Sequence, residues 1–154
     1  MKKILSYSKF ILQIFFFICI INNTQAKNLD KFYKSDKISS YFSGIISLYD
    51  NDYANSYKYL KELEGLEKNH LSFSKNYQYS LINSERFKEA FNYSKKLEKQ
   101  KIDVFESNLI IGTYYLKNKK YDKALEYFKK LESNKQATVS QNILSTTLTN
   151  WLSF

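Results

Sequence analysis

From about residue 37 onward, apolar residues recur at the three- and four-residue intervals of α-helices, not in the alternation of strands. Three stretches align without gaps: NDYANSYKYLKEL from Asn51, ERFKEAFNYSKKL from Glu85 and KKYDKALEYFKKL from Lys119. Their aromatic anchors Tyr53, Phe87 and Tyr121 are evenly spaced, the third as far from the second as the second is from the first. Three positions after each anchor comes a small residue (Ser56, Ala90, Ala124), and next to it a large apolar one (Tyr57, Phe91, Leu125). Leu63, Leu97 and Leu131 follow on the same helical face. The remaining positions are mostly Lys, Glu, Asp and Asn, as on a solvated side, and Glu126 and Lys130 stand four apart in the favourable order. Leu60 and Phe128 extend the apolar stripe, but Ser94 interrupts it, so the middle copy is the weaker match.

A second helical segment precedes each anchor, over about 37–49, 71–83 and 104–117. Gly44 and Gly112 stand at equivalent places ahead of Tyr53 and Tyr121. Glycine inside a helix costs about 1 kcal/mol relative to alanine, so these two positions predict a close approach of the partner helix at Ser56 or Ala124. Each unit therefore reads as two antiparallel helices joined by a polar turn: Asp50-Asn51-Asp52, Asn83-Ser84-Glu85 and Asn118-Lys119-Lys120. Asp103 with Glu106 predicts a capping box at the start of the third unit, and Gly65 predicts the end of the first unit's second helix. With three glycines and no proline, the chain lacks the turn residues that all-β folds need. The fold class is all-α.

These features together resemble the tetratricopeptide repeat (TPR) family, whose helix-turn-helix unit has the same period. The resemblance covers about 37–134 as three units (37–68, 71–102 and 104–134), with 135–154 as a C-terminal helix, either a cap or the first helix of an incomplete fourth unit. Ile111, Gly112, Tyr115, Tyr121, Ala124 and Phe128 of the third unit all fall on the family's pattern. Ser40, Ser74 and Asn108 replace its tryptophan, Lys68, Ile102 and Gln136 its proline, and Gln78 its glycine in the second unit, so the middle unit is expected to pack more loosely or at a different angle. The resemblance implies a short right-handed superhelical solenoid whose first helices line a concave partner-binding face. Carried over position by position, that groove comprises Tyr41 and Ile45, Lys75 and Tyr79, and Leu109 and Thr113. Tyr41 and Ile45 stand where the family's carboxylate clamp puts Lys and Asn, so the groove suits an apolar or amphipathic peptide instead. Ile45 and Leu109 fit inter-repeat core equally well. The layout also resembles the N-terminal part of exported bacterial TPR proteins, so a chain cut short of a longer architecture is one expectation, and association through the C-terminal helix is another. Trp151 packs back on the third unit if that helix is a cap.

The N-terminal segment, 1–26, follows a different pattern. Lys2, Lys3 and Lys9 precede an apolar run, 10–21, interrupted only by Gln13; Thr24 and Ala26 then approximate the small-x-small site of signal peptidase. The layout predicts a signal peptide cleaved after Ala26 and followed by a polar leader, 27–36. A membrane tether through 10–21 is the alternative, although the run is short of the roughly 20 apolar residues that span a bilayer. Cleavage would remove Cys19, the only cysteine, and lower the net positive charge of the chain by removing three lysines. Export to the periplasm is expected, or anchoring in the inner membrane if the segment stays.

The inventory of reactive groups argues against an enzyme. His70 is the only histidine, expected to lie exposed in the loop between the first and second units. Without a second His or a mature Cys, neither a catalytic triad nor a metal site can be assembled conventionally, and no Gly-rich phosphate loop is present. No catalytic residue, metal or cofactor is expected. Lys117, Lys119, Lys120, Lys123, Lys129 and Lys130 cluster but alternate with Asp122 and Glu126, which reads as a solvated face and not a nucleic-acid surface. Lys, Asn, Ile, Tyr and Phe also share AT-rich codons, so the basic bias follows genomic composition. The expected role is a non-enzymatic protein-interaction scaffold, with a protein or peptide partner among envelope components.

Overall fold

The computed structural model describes residues 35–133 and 137–153. The expected signal segment, its cleavage site and the polar leader up to Lys34 lie outside the described residues. The chain divides into a unit ending at Ile38 and a unit from Ser39 to Phe154, and the account below concerns the second. Seven α-helices and no strand occur among the described residues: α1 Ser35–Tyr49, α2 Tyr53–Lys61, α3 Leu71–Asn83, α4 Phe87–Lys99, α5 Phe105–Lys117, α6 Tyr121–Glu132 and α7 Val139–Ser153. From α2 to α7 each helix packs on its neighbour in the chain, and α3 also touches α5. The described residues are all-α.

The three helix-to-helix turns are built alike, and they are spaced like the sequence anchors. Asn51, Glu85 and Lys119 take positive φ angles of 62°, 60° and 58°. The next residue in each donates its N–H five positions back: Asp52 to Ser47 at 2.8 Å, Arg86 to Leu81 at 2.8 Å and Lys120 to Tyr115 at 2.9 Å. This is the bond by which a left-handed residue closes a helix C-terminus. The left-handed conformation costs an L-residue about 1–2 kcal/mol, so the packing behind each turn holds it there. Lys101, with φ 59°, and the Ile102 bond to Leu97 at 3.0 Å close α4 in the same way.

Two local expectations need correction. Asp103 and Glu106 form no capping box: Val104 is the N-cap of α5, with no side-chain hydrogen bond, and Asp103 accepts instead from Asn108 Nδ2 at 2.9 Å. Val104 is buried in the core, so apolar burial sets where the helix begins. Gly65 does not end α2, which stops at Lys61; it takes φ 113° in the following turn, where Leu63 and Glu67 are buried, ahead of a 3-10 turn at Leu66–Lys68.

The crossing inside each hairpin is a matter of volume. A β-carbon on Gly112 would stand 2.4 Å from the Phe128 ring, and one on Gly44 would stand 2.8 Å from Leu60. The close approaches are therefore to the bulky residues of α6 and α2, not to Ser56 or Ala124 as expected. The middle hairpin reverses the sizes: Gln78 occupies the glycine position and Ser94 the bulky one, at 1% and 0% exposure. Gln78 Nε2 donates to Ser94 Oγ at 2.9 Å and to Ser107 Oγ of the next unit at 2.6 Å. The two departures from pattern are one compensated exchange, so this crossing is filled and not loose.

Sequential hairpins are joined by polar bonds that repeat with the same step. Lys96 pairs with Glu64 at 3.3 Å, and one repeat later Lys130 pairs with Glu98 at 3.6 Å. The same lysines lie over Tyr93 and Tyr127, at 5.6 and 4.2 Å from the ring centroids. Tyr93 and Tyr127 are both buried, whereas the anchors Phe87 and Tyr121 are 46% and 53% exposed. Tyr121, expected as a packing residue, instead stands at the surface because the aromatic six positions later fills the interior. Lys96 also reaches the buried Glu67 at 2.8 Å, and Gly65 N–H donates to the same carboxylate at 2.6 Å. Burial raises the Glu67 pKa, but the lysine and the two backbone N–H donors of Gly65 and Glu67 outweigh it and hold it below its ordinary 4.5.

Two outcomes are expected. Gln78→Gly alone leaves a cavity and a flexible helix position, and Ser94→Phe alone overpacks; each loses about 2 kcal/mol or more in denaturant titrations. Made together they restore the glycine–aromatic pairing, so the double variant loses at least about 1 kcal/mol less than the sum. Additive losses would show that the pair is not coupled. A carboxyl with a lowered folded pKa contributes stability above its unfolded value that fades as pH falls through the folded one. The stability gap between wild type and Glu67→Gln should therefore be full near pH 6 and shrink below about pH 4.5. A gap independent of pH would refute the ion pair's role.

Candidate partner-binding groove

The six groove residues lie on α1, α3 and α5. Tyr41 and Ile45 of α1 are half-buried; Tyr41 packs against the core, with its ring 5.1 Å from that of His70. His70 is thus half-covered by an aromatic ring and not free in a loop, because α3 begins directly after it at Leu71. Lys75 on α3 is exposed, but its ammonium lies 3.8 Å from Glu106 on α5. Tyr79, one turn further along α3, is 55% exposed and its ring meets Tyr53 edge-on at 6.3 Å. Leu109 and Thr113 line a common cleft.

That cleft, of about 370 Å³, lies between the α3–α4 hairpin and α5 and is lined by Ile82, Phe87, Leu109, Ile110, Thr113, Tyr114 and Lys117. Its lining is almost wholly apolar, with a single cation. Tyr114 is fixed by a parallel stack on Phe91, with centroids 4.0 Å apart. Lys117 Nζ sits 5.5 Å from the centre of the Phe87 ring and makes no ion pair with any described residue. The origin of the cleft is in the repeat. Phe87 and Thr113 stand one full repeat after Tyr53 and Tyr79, so threonine occupies the place of a tyrosine ring. In the earlier unit Tyr79 covers Tyr53; in the later one Thr113 is too short to cover Phe87.

Sequence reading found Leu109 and Thr113 but missed Ile82, Phe87, Ile110, Tyr114 and Lys117. The signal available was the Tyr79 to Thr113 change at equivalent positions, a loss of volume with no compensating neighbour. Continuing by the same step, Ile143, Thr147 and Trp151 of α7 follow Leu109, Thr113 and Lys117, and all three are exposed. Trp151, at 65% exposure, does not pack back on the third hairpin, where Leu148 and Leu152 provide the contact instead.

Among the described residues, no helix is long and apolar enough to cross a membrane, and no cluster of three or more His, Cys, Asp or Glu could hold a metal. No family model matches the chain, and no curated protein matches it.

Proposed function

We propose that the protein is an exported TPR protein, a short superhelical array that binds a peptide or partner protein on the face formed by its first helices. The observation carrying this reading is the recurrence of one architecture at a constant step: the left-handed turn, the lysine–glutamate bridge and the lysine over tyrosine. Such recurrence favours stacking each hairpin on the last, which builds an extended surface and no enclosed catalytic cavity. Along that surface Tyr79, Leu109, Thr113, Ile143 and Trp151 offer apolar side chains at least partly open to solvent. The signal pattern before Ala26 favours a site of action in the envelope. The role is that of a scaffold, with no catalysis or cofactor.

The test is site-specific photocrosslinking in cells that express the full chain. Benzoylphenylalanine at Tyr79 should give discrete higher-mass adducts, while the same probe at Lys58, exposed on α2, should give none. N-terminal sequencing of the recovered protein should begin at Lys27. Equal labelling from the two positions would refute the groove, and a recovered chain that still begins at Met1 would refute cleavage.

A further inference from the structure

We infer that the cleft over Phe87 is a seat for an aromatic side chain of a partner peptide, read together with an adjacent acidic residue by Lys117. The inference rests on the groove reading above and adds the chemistry of what the groove selects.

The molecule itself displays the occupant. One repeat earlier, the Tyr79 ring stands edge-on to Tyr53 at 6.3 Å and 75°, a favourable arrangement for two aromatic quadrupoles. Translated by one repeat, the same seat has Phe87 as its wall and Thr113 in place of the incoming ring. The surroundings change in step. Lys75 and Asn76, beside the filled seat, become Leu109 and Ile110 beside the empty one, so the space left by the missing ring is apolar. Asn83 becomes Lys117, which adds one cation at the edge of that apolar space. A bare aliphatic group would fill the volume but leave Lys117 without a counter-charge. A bare acid would pair with Lys117 but leave Phe87 uncovered. An aromatic ring with a carboxylate on a neighbouring residue satisfies both.

The site can be tested on the folded protein because Thr113 and Lys117 are exposed and their substitution removes no buried contact. The probe is the acetylated, amidated peptide Gly-Ser-Asp-Asp-Phe-Asp-Asp-Ser-Gly, with two controls in which Phe becomes Ala or every Asp becomes Asn. Binding is read from the methyl resonances of Ile82, Leu109 and Ile110. The aromatic acidic peptide should shift these methyls saturably, and both controls should bind more weakly. Thr113→Tyr, which supplies the ring internally, should abolish the shifts. Lys117→Gln should weaken binding by about three- to five-fold and flatten its dependence on salt. The seat is overturned if these methyls do not move in wild type, if Thr113→Tyr binds as before, or if either control peptide binds equally. Adducts from position 79 together with no peptide response in wild type would leave the groove standing and remove the aromatic seat alone. Loss of both signals in wild type would remove both.

Discussion

Everything in this fold depends on how closely the two helices of a hairpin can cross. At that crossing one side must give up volume: Gly44 to Leu60 in the first hairpin and Gly112 to Phe128 in the third. Interiors pack at crystal-like density, so a single methyl group on the glycine side displaces a ring that has nowhere to go. The second hairpin meets the same constraint from the other direction, with a large Gln78 against a small Ser94. The sum of the two side chains is what is held, and either helix can carry the bulk. The polar solution does more than fill space, since Gln78 also bonds Ser107 and so ties its hairpin to the next.

The second layer of order is electrostatic and lies between hairpins. Glu64 and Glu98 each receive a lysine from the following hairpin, Lys96 and Lys130 respectively. Tyr77 and Tyr127 donate their hydroxyls to the same two carboxylates at 2.9 and 2.8 Å. Lys96 is bound twice, at Glu64 and at the buried Glu67. Exposed ion pairs contribute little singly, but a lysine held over a tyrosine ring and between two carboxylates has few other places to be. These bonds set the stagger between successive hairpins.

The helices and their period were legible because apolar spacing, the aligned anchors and the polar turns all pointed the same way. The glycines were read correctly as sites of close approach, though the residues they meet are Leu60 and Phe128, one helical turn beyond the small ones expected. The buried aromatic pair Tyr93 and Tyr127 was missed although the two share the repeat step with Tyr59, because the conspicuous anchors drew the reading to Phe87 and Tyr121. Helix starts were the least legible: Asp103 had the chemistry of a cap, but burial of Val104 decided the boundary. At the groove, family-like positions located Leu109 and Thr113, while the cleft itself came from a deletion of volume. Absence of a side chain is visible in sequence only when its counterpart one repeat earlier is set beside it.

The reach of the polar bonds has a consequence for how the chain acquires its structure. The side-chain hydrogen bonds from Tyr57 to Glu89, Lys95 to Tyr127 and Lys96 to Glu64 all close loops of the same length, about one repeat, and none of those described reaches further. Loop-closure entropy is therefore met in small, similar instalments, the regime in which chains fold fast and without waiting for distant segments. Each hairpin can settle onto the one already formed as synthesis proceeds, and each can fray from an end without unseating the remainder.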